Sequence, residues 1–142
     1  MTDVSIELSI LWRKLRNVED IESWKLAREV TSLVYKVSSA GNFSRDFALC
    51  NQIRRASVSI LSNIAEGFER GGNKEFLQFL AIAKGSCGEV RAQLYVALDQ
   101  EYLDPNSFRL ISDKLLETSR LLSGLMKYLR QSEMRGEKFR QH

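Results

Sequence analysis

A chain of 142 residues, 44% hydrophobic and 27% charged, has the length for one domain with a real core and the composition of an ordinary globular protein. Its net charge of +3 does not by itself argue for nucleic acid. The single histidine is the last residue, His142, and the two cysteines, Cys50 and Cys87, lack metal-type spacing, so catalysis by an internal histidine and a Cys/His metal site are both excluded.

No apolar run approaches the roughly 18 residues of a membrane span. The first residues also lack a signal peptide's order, because Asp3 and Glu7 stand where positive charge belongs. The expected compartment is the cytoplasm, with both thiols reduced and buried. With one proline and eight glycines, few long elements are expected.

Residues 1–18 read as an N-terminal extension, either a short amphipathic helix with Leu8, Leu11, Leu15 and Val18 on one side, packed on the body or a neighbouring subunit, or a frayed arm. A first helix is predicted from Val18 or Glu19 to Ser39, with an apolar stripe through Trp24, Ala27, Val30, Val34 and Val37. Gly41-Asn42 stops it. Ser44 is the expected cap of the second helix, with Phe43 and Phe47 as a hydrophobic staple.

The second helix carries the run Gln52 to Arg70 and ends between Gly67 and Gly71. Asn73 is expected to cap the third, whose apolar face reads Phe76, Leu77, Phe79, Leu80, Ile82 and Ala83. Small residues mark both helices, and Gly85 and Ser86 are expected to meet Ala56 and Ser59 so that the backbones close up. Asp104 caps the fourth helix with Pro105 at its first position, and Phe108, Ile111, Leu115, Thr118, Leu122, Leu125 and Leu129 form its seam. The fold class is therefore all-α, an antiparallel up-down-up-down four-helix bundle over residues 19–132 with a polar tail over 133–142.

The run QIRRASVSILSNIAEGFERGGNKEFLQFLAIAKGSCGEV resembles a bacterial four-helix-bundle family, the 23S rRNA intervening sequence proteins. The resemblance is carried by Gln52, Arg55-Ala56, Ser59, Ser62-Asn63-Ile64-Ala65-Glu66-Gly67, Arg70, Glu75-Phe76, Phe79-Leu80 and Ala83-Lys84-Gly85-Ser86. It implies a non-enzymatic protein without cofactors, forming a ring-like homopentamer. A distantly similar branch is the accessory subunit of the reverse transcriptase in diversity-generating retroelements, so an adaptor for such a polymerase is the alternative reading.

Repeated around a ring, modest charge becomes a field that attracts an RNA backbone. The candidate phosphate contacts are Arg54, Arg55, Arg70, Lys74, Lys84 and Arg91. Arg54 and Arg55 are about 100° apart on a helix, so one is expected at an edge with Glu66 or Glu89 and the other outward. No aromatic platform or base-reading motif stands out in the sequence, which argues against sequence-specific readout. Ala56, Ser59, Asn63, Glu66, Gly67, Gly85 and Ser86 form the structural motif, Asn63 and Glu66 being one turn apart and a possible hydrogen-bonded pair. Ser57, Ser59 and Ser62 have no histidine to activate them, and Glu66 with Glu69 is weak ground for a metal-dependent hydrolase.

Overall fold

The computed structural model describes Leu15 and residues 17–140, giving the course of the backbone alone from residue 133 onward. The expected leader helix lies almost wholly outside the described residues. Four helices follow in chain order: α1 (Glu22–Ser38), α2 (Phe47–Arg70), α3 (Asn73–Asp99) and α4 (Pro105–Arg140). Each packs against its neighbours in the chain, and α1 closes the square against α4, which is the up-down-up-down bundle. Helical backbone runs on to Arg140, past the point where the composition turns polar.

The core follows the apolar stripes. Val30, Ile53, Ile60, Leu80, Leu94, Leu115 and Leu122 are fully buried, and Thr118 joins the α4 seam by donating its hydroxyl to the Lys114 carbonyl at 2.7 Å. Asp104 caps α4 as expected: its Oδ1 accepts from the Ser107 amide at 2.8 Å and its Oδ2 from the Ser107 hydroxyl at 3.0 Å. Lys114 of α4 pairs with Glu29 of α1 at 3.0 Å across the closing contact.

Three helix starts differ from expectation. α1 begins at Glu22, because Val18–Asp20 form a 3-10 turn and Ile21 is extended and buried. α2 is capped by Asp46 and not by Ser44: residues Phe43–Arg45 make another 3-10 turn, which moves the cap two positions on. A carboxylate suits that place better than a hydroxyl, since Asp46 accepts from the Leu49 amide at 3.0 Å and from the Tyr102 hydroxyl at 3.0 Å, one bond on each oxygen.

The same turn dismantles the staple. Phe43 goes into the core and stacks on Tyr102 with ring centroids 5.4 Å apart, while Phe47 is left 82% exposed. On α3 the cap position is Gly72, extended, so Asn73 is already the first helical residue and caps nothing.

The close approach of α2 and α3 also sits elsewhere than expected. Ser59 and Ser86 do meet, hydroxyl to hydroxyl at 2.9 Å. Gly85, however, is exposed, and a Cβ built on it would touch nothing within 4 Å. The glycine that the packing needs is Gly67, where a Cβ would stand 2.7 Å from the Cβ of Phe79. Gly71, at φ +79, then turns the chain into α3 in the left-handed conformation that glycine tolerates best. Ile82, placed on the apolar face by its spacing, is 52% exposed.

Candidate nucleic-acid interface

Arg54 is the most fully determined of the predicted cations. Its Nε donates to Ser38 Oγ at 2.9 Å and its Nη2 to Ser39 Oγ at 3.1 Å, and the guanidinium carbon lies 4.8 Å from the Tyr35 ring centroid. All three partners belong to the last turn of α1 or its cap, where the helix dipole favours a cation. The acidic partner expected for Arg54 or Arg55 is therefore not used. Glu66 pairs instead with Arg70 one turn on, at 2.9 Å, and Asn63 donates to the carbonyl and hydroxyl of Ser59 at 2.8 and 2.9 Å instead of meeting Glu66.

The six predicted cations do not converge. Arg54 faces α1, and Arg55 beside it is exposed with no ion pair among the described residues. Arg70 lies over Phe79, with its guanidinium carbon 5.4 Å from that ring, and Lys74 is exposed on the first turn of α3. Lys84 and Arg91 fall on the α3 stripe that continues to Tyr95, whose ring meets Phe108 of α4 at 4.9 Å. They flank α4, on the other side of the α2–α3 pair from Arg54.

Around Arg54 and Arg55 the structure gathers side chains that spacing alone had not singled out. An open cleft of about 620 Å³ over α2 is lined by Tyr35, Phe47, Asn51, Arg54, Arg55 and Val58, among others. Tyr35 is 44% exposed, and Lys36 and Arg45 stand exposed close by in the chain. The sequence had shown no aromatic platform because Tyr35 and Phe47 come from different elements, and Phe47 had been assigned to a staple.

A signal was nonetheless present in the charge distribution. Residues 30–65 hold Lys36, Arg45, Arg54 and Arg55 but a single acid, Asp46. Taking those from the chain's 21 basic and 18 acidic residues leaves 17 of each elsewhere, so a charge equal to the whole net +3 lies in this segment. Its one carboxylate is engaged by the Leu49 amide and the Tyr102 hydroxyl.

The remaining chemistry of the described residues is quiet. They contain no group of three His, Cys, Asp or Glu side chains able to hold a metal ion. Both cysteines are free and buried. Burial pushes the Cys87 thiol up to about 12, with nearby Arg91 pulling weakly the other way, so Cys87 is a poor nucleophile. No described helix is long and apolar enough to cross a membrane.

Fold and surface together define an α-helical bundle with a basic, aromatic-bearing hairpin. The family model described as 23S rRNA-intervening sequence protein matches residues 19–124, and the chain belongs to that family. Among solved structures, the chain is similar to a protein with unknown function from the S23 ribosomal protein family of Bacteroides thetaiotaomicron. The two are 24% identical with a TM-score of 0.68, over 74% of this chain and 95% of that one, a likeness of fold. A comparison with curated proteins gives no match.

Proposed function

We propose that this chain is a non-enzymatic, self-associating scaffold of the cytoplasm that binds RNA, alone or within a ribonucleoprotein, through the α1–α2 hairpin. The observation that carries this reading is the segregation of a charge equal to the whole net +3 into residues 30–65, beside two exposed aromatic rings. Phosphate attraction requires cations without neighbouring acids, and residues 30–65, the part of the hairpin around its turn, supply four of them against one engaged carboxylate. The family's own name links its members to ribosomal RNA genes. Of the six cations expected from the sequence, Arg54 and Arg55 carry this proposal, and Arg70, Lys74, Lys84 and Arg91 are secondary contacts on other faces.

For assembly we propose the closed ring of five copies that the family resemblance implies. Its support is α3, which leaves Ile82, Tyr95 and Val96 about half exposed beside the open Gly85. Half-exposed apolar side chains set among the charged ones of an outer helix face leave surface for a further neighbour. Nothing in the fold or the family match favours the reverse-transcriptase adaptor.

The test of RNA binding is a salt titration with Lys36, Arg45 and Arg55 all changed to alanine. The variant is expected to bind more weakly at low salt, with a log–log salt slope shallower by about 2, from roughly 0.7 per lost contact. Unchanged binding would remove the hairpin from the reading. Solution mass tests the assembly, and Gly85→Leu, which the monomer has room for, should lower it.

A further inference from the structure

We infer that the cleft lined by Tyr35, Phe47, Arg54 and Arg55 takes an unpaired stretch of RNA, stacking a base against its aromatic and guanidinium surfaces while the outer cations hold flanking phosphates. This rests on the RNA reading above and specifies the kind of RNA. Three observations carry it.

Phe47 is 82% exposed at the first position of α2, where it contributes little to the core. An A-form duplex hides the faces of its bases, so an exposed ring gains little from one, whereas every unpaired base offers a face to stack.

Arg54 is fixed before any ligand arrives. Two serine hydroxyls, at 2.9 and 3.1 Å, and the Tyr35 ring beneath hold its guanidinium in place. A guanidinium so held adds a fixed cationic surface over the Tyr35 ring, and the ordering cost of that long side chain is met by the fold.

The cations are also compact. Lys36, Arg45 and Arg55 come from the last turn of α1, the connecting turn and the third turn of α2, all in the half of the hairpin nearest its turn. A protein that reads a duplex by shape instead needs contacts spread across successive grooves. The open cleft, about 620 Å³ in volume, has room for one nucleobase. Besides Tyr35 and the two arginines its polar lining is Asn51 and Ser59, which make no base-reading array, so the expected preference is for single strands and not for a sequence.

The experiment uses the full chain and two labelled probes, an unstructured oligouridylate and an A–U duplex of equal length, followed by fluorescence anisotropy across a salt series. The single strand should bind about 10-fold more tightly than the duplex. Phe47→Ala, a change on the surface that leaves the core intact, should weaken single-strand binding about 10-fold with the salt slope unchanged, as expected for a lost stacking partner. Arg55→Ala should instead flatten that slope by about 0.7. If the duplex binds as well as the single strand, or Phe47→Ala has no effect, this inference falls and the broader RNA reading stands. If neither probe binds, both fall.

Discussion

Gly67 of α2 and Phe79 of α3 lie so close that a methyl group on the glycine would come within 2.7 Å of the phenylalanine Cβ. The Phe76 ring is 2.9 Å from the same point. Neither neighbour can swing away cheaply, because Phe76 is buried and the near atom of Phe79 is tied to its backbone. Gly67→Ala should therefore cost about 1–3 kcal/mol as overpacking, read as a lower urea midpoint at unchanged m. Gly85→Ala, with open space around it, should instead stabilise the helix by up to about 1 kcal/mol. Equal effects of the two changes would refute this placement of the close contact.

That contrast shows where the sequence is readable and where it is not. The stripes of α1 to α4 and the Asp104–Pro105 start follow from spacing and capping, which are local properties. Gly67, Ser59 and Ser86 belong to the run that carries the family resemblance. Which glycine sits under a neighbour depends on the rotation of two helices about each other, and no one-dimensional pattern states that. The Ser44 cap failed for a related reason: Asp46 wins because Tyr102, more than fifty residues away, also needs its carboxylate. At the candidate site, charge segregation was visible in the chain, but the pairing of Arg54 with the α1 terminus is tertiary.

The Ser59 hydroxyl stands between two partners, accepting from Asn63 Nδ2 at 2.9 Å and meeting Ser86 Oγ at 2.9 Å. Ser86 is buried, so losing its partner leaves a polar atom unsatisfied. Ser59→Ala should destabilise by about 1–2 kcal/mol. The double change Ser59→Ala with Ser86→Ala should cost less than the sum of the single changes, because the second deletion removes the orphaned hydroxyl. A double-mutant cycle in urea would measure this, and strict additivity would argue against the bond.

Two groups make the protein sensitive to alkali. The hydrogen bond from Tyr102 to the Asp46 carboxylate raises the phenol above its ordinary 10.0, and burial raises the Cys87 thiol from 9.0 to about 12. Each keeps its proton in the native state at a pH where the unfolded chain has released it. Their stabilisation is thus complete below the unfolded values and is lost as pH rises from about 9 toward 12. Cys87 contributes a slope of up to about 1.4 kcal/mol per pH unit in that window. Tyr102→Phe should flatten the upper part of the curve, above pH 10.0. Native Cys87 should also resist thiol reagents at pH 8 until the chain opens, and rapid labelling of the folded protein would contradict its burial.

Arg54 is where stability and recognition meet, and a conservative change separates them. Lysine keeps the positive charge at the end of α1 but lacks the planar fork that reaches Ser38 and Ser39 together while lying on Tyr35. Arg54→Lys should lower stability by about 1 kcal/mol, the scale of one hydrogen bond to a charged group partly replaced. It should leave the RNA salt slope unchanged, since the count of cations is unchanged. Affinity for an unstructured oligouridylate should nevertheless fall several-fold, because a flexible ammonium offers no flat layer to stack on. Arg54→Met, which removes the charge but keeps a long side chain, should flatten the slope as well. If lysine preserves both affinity and slope, Arg54 acts in binding as a point charge, and the fixed guanidinium over Tyr35 serves the fold alone.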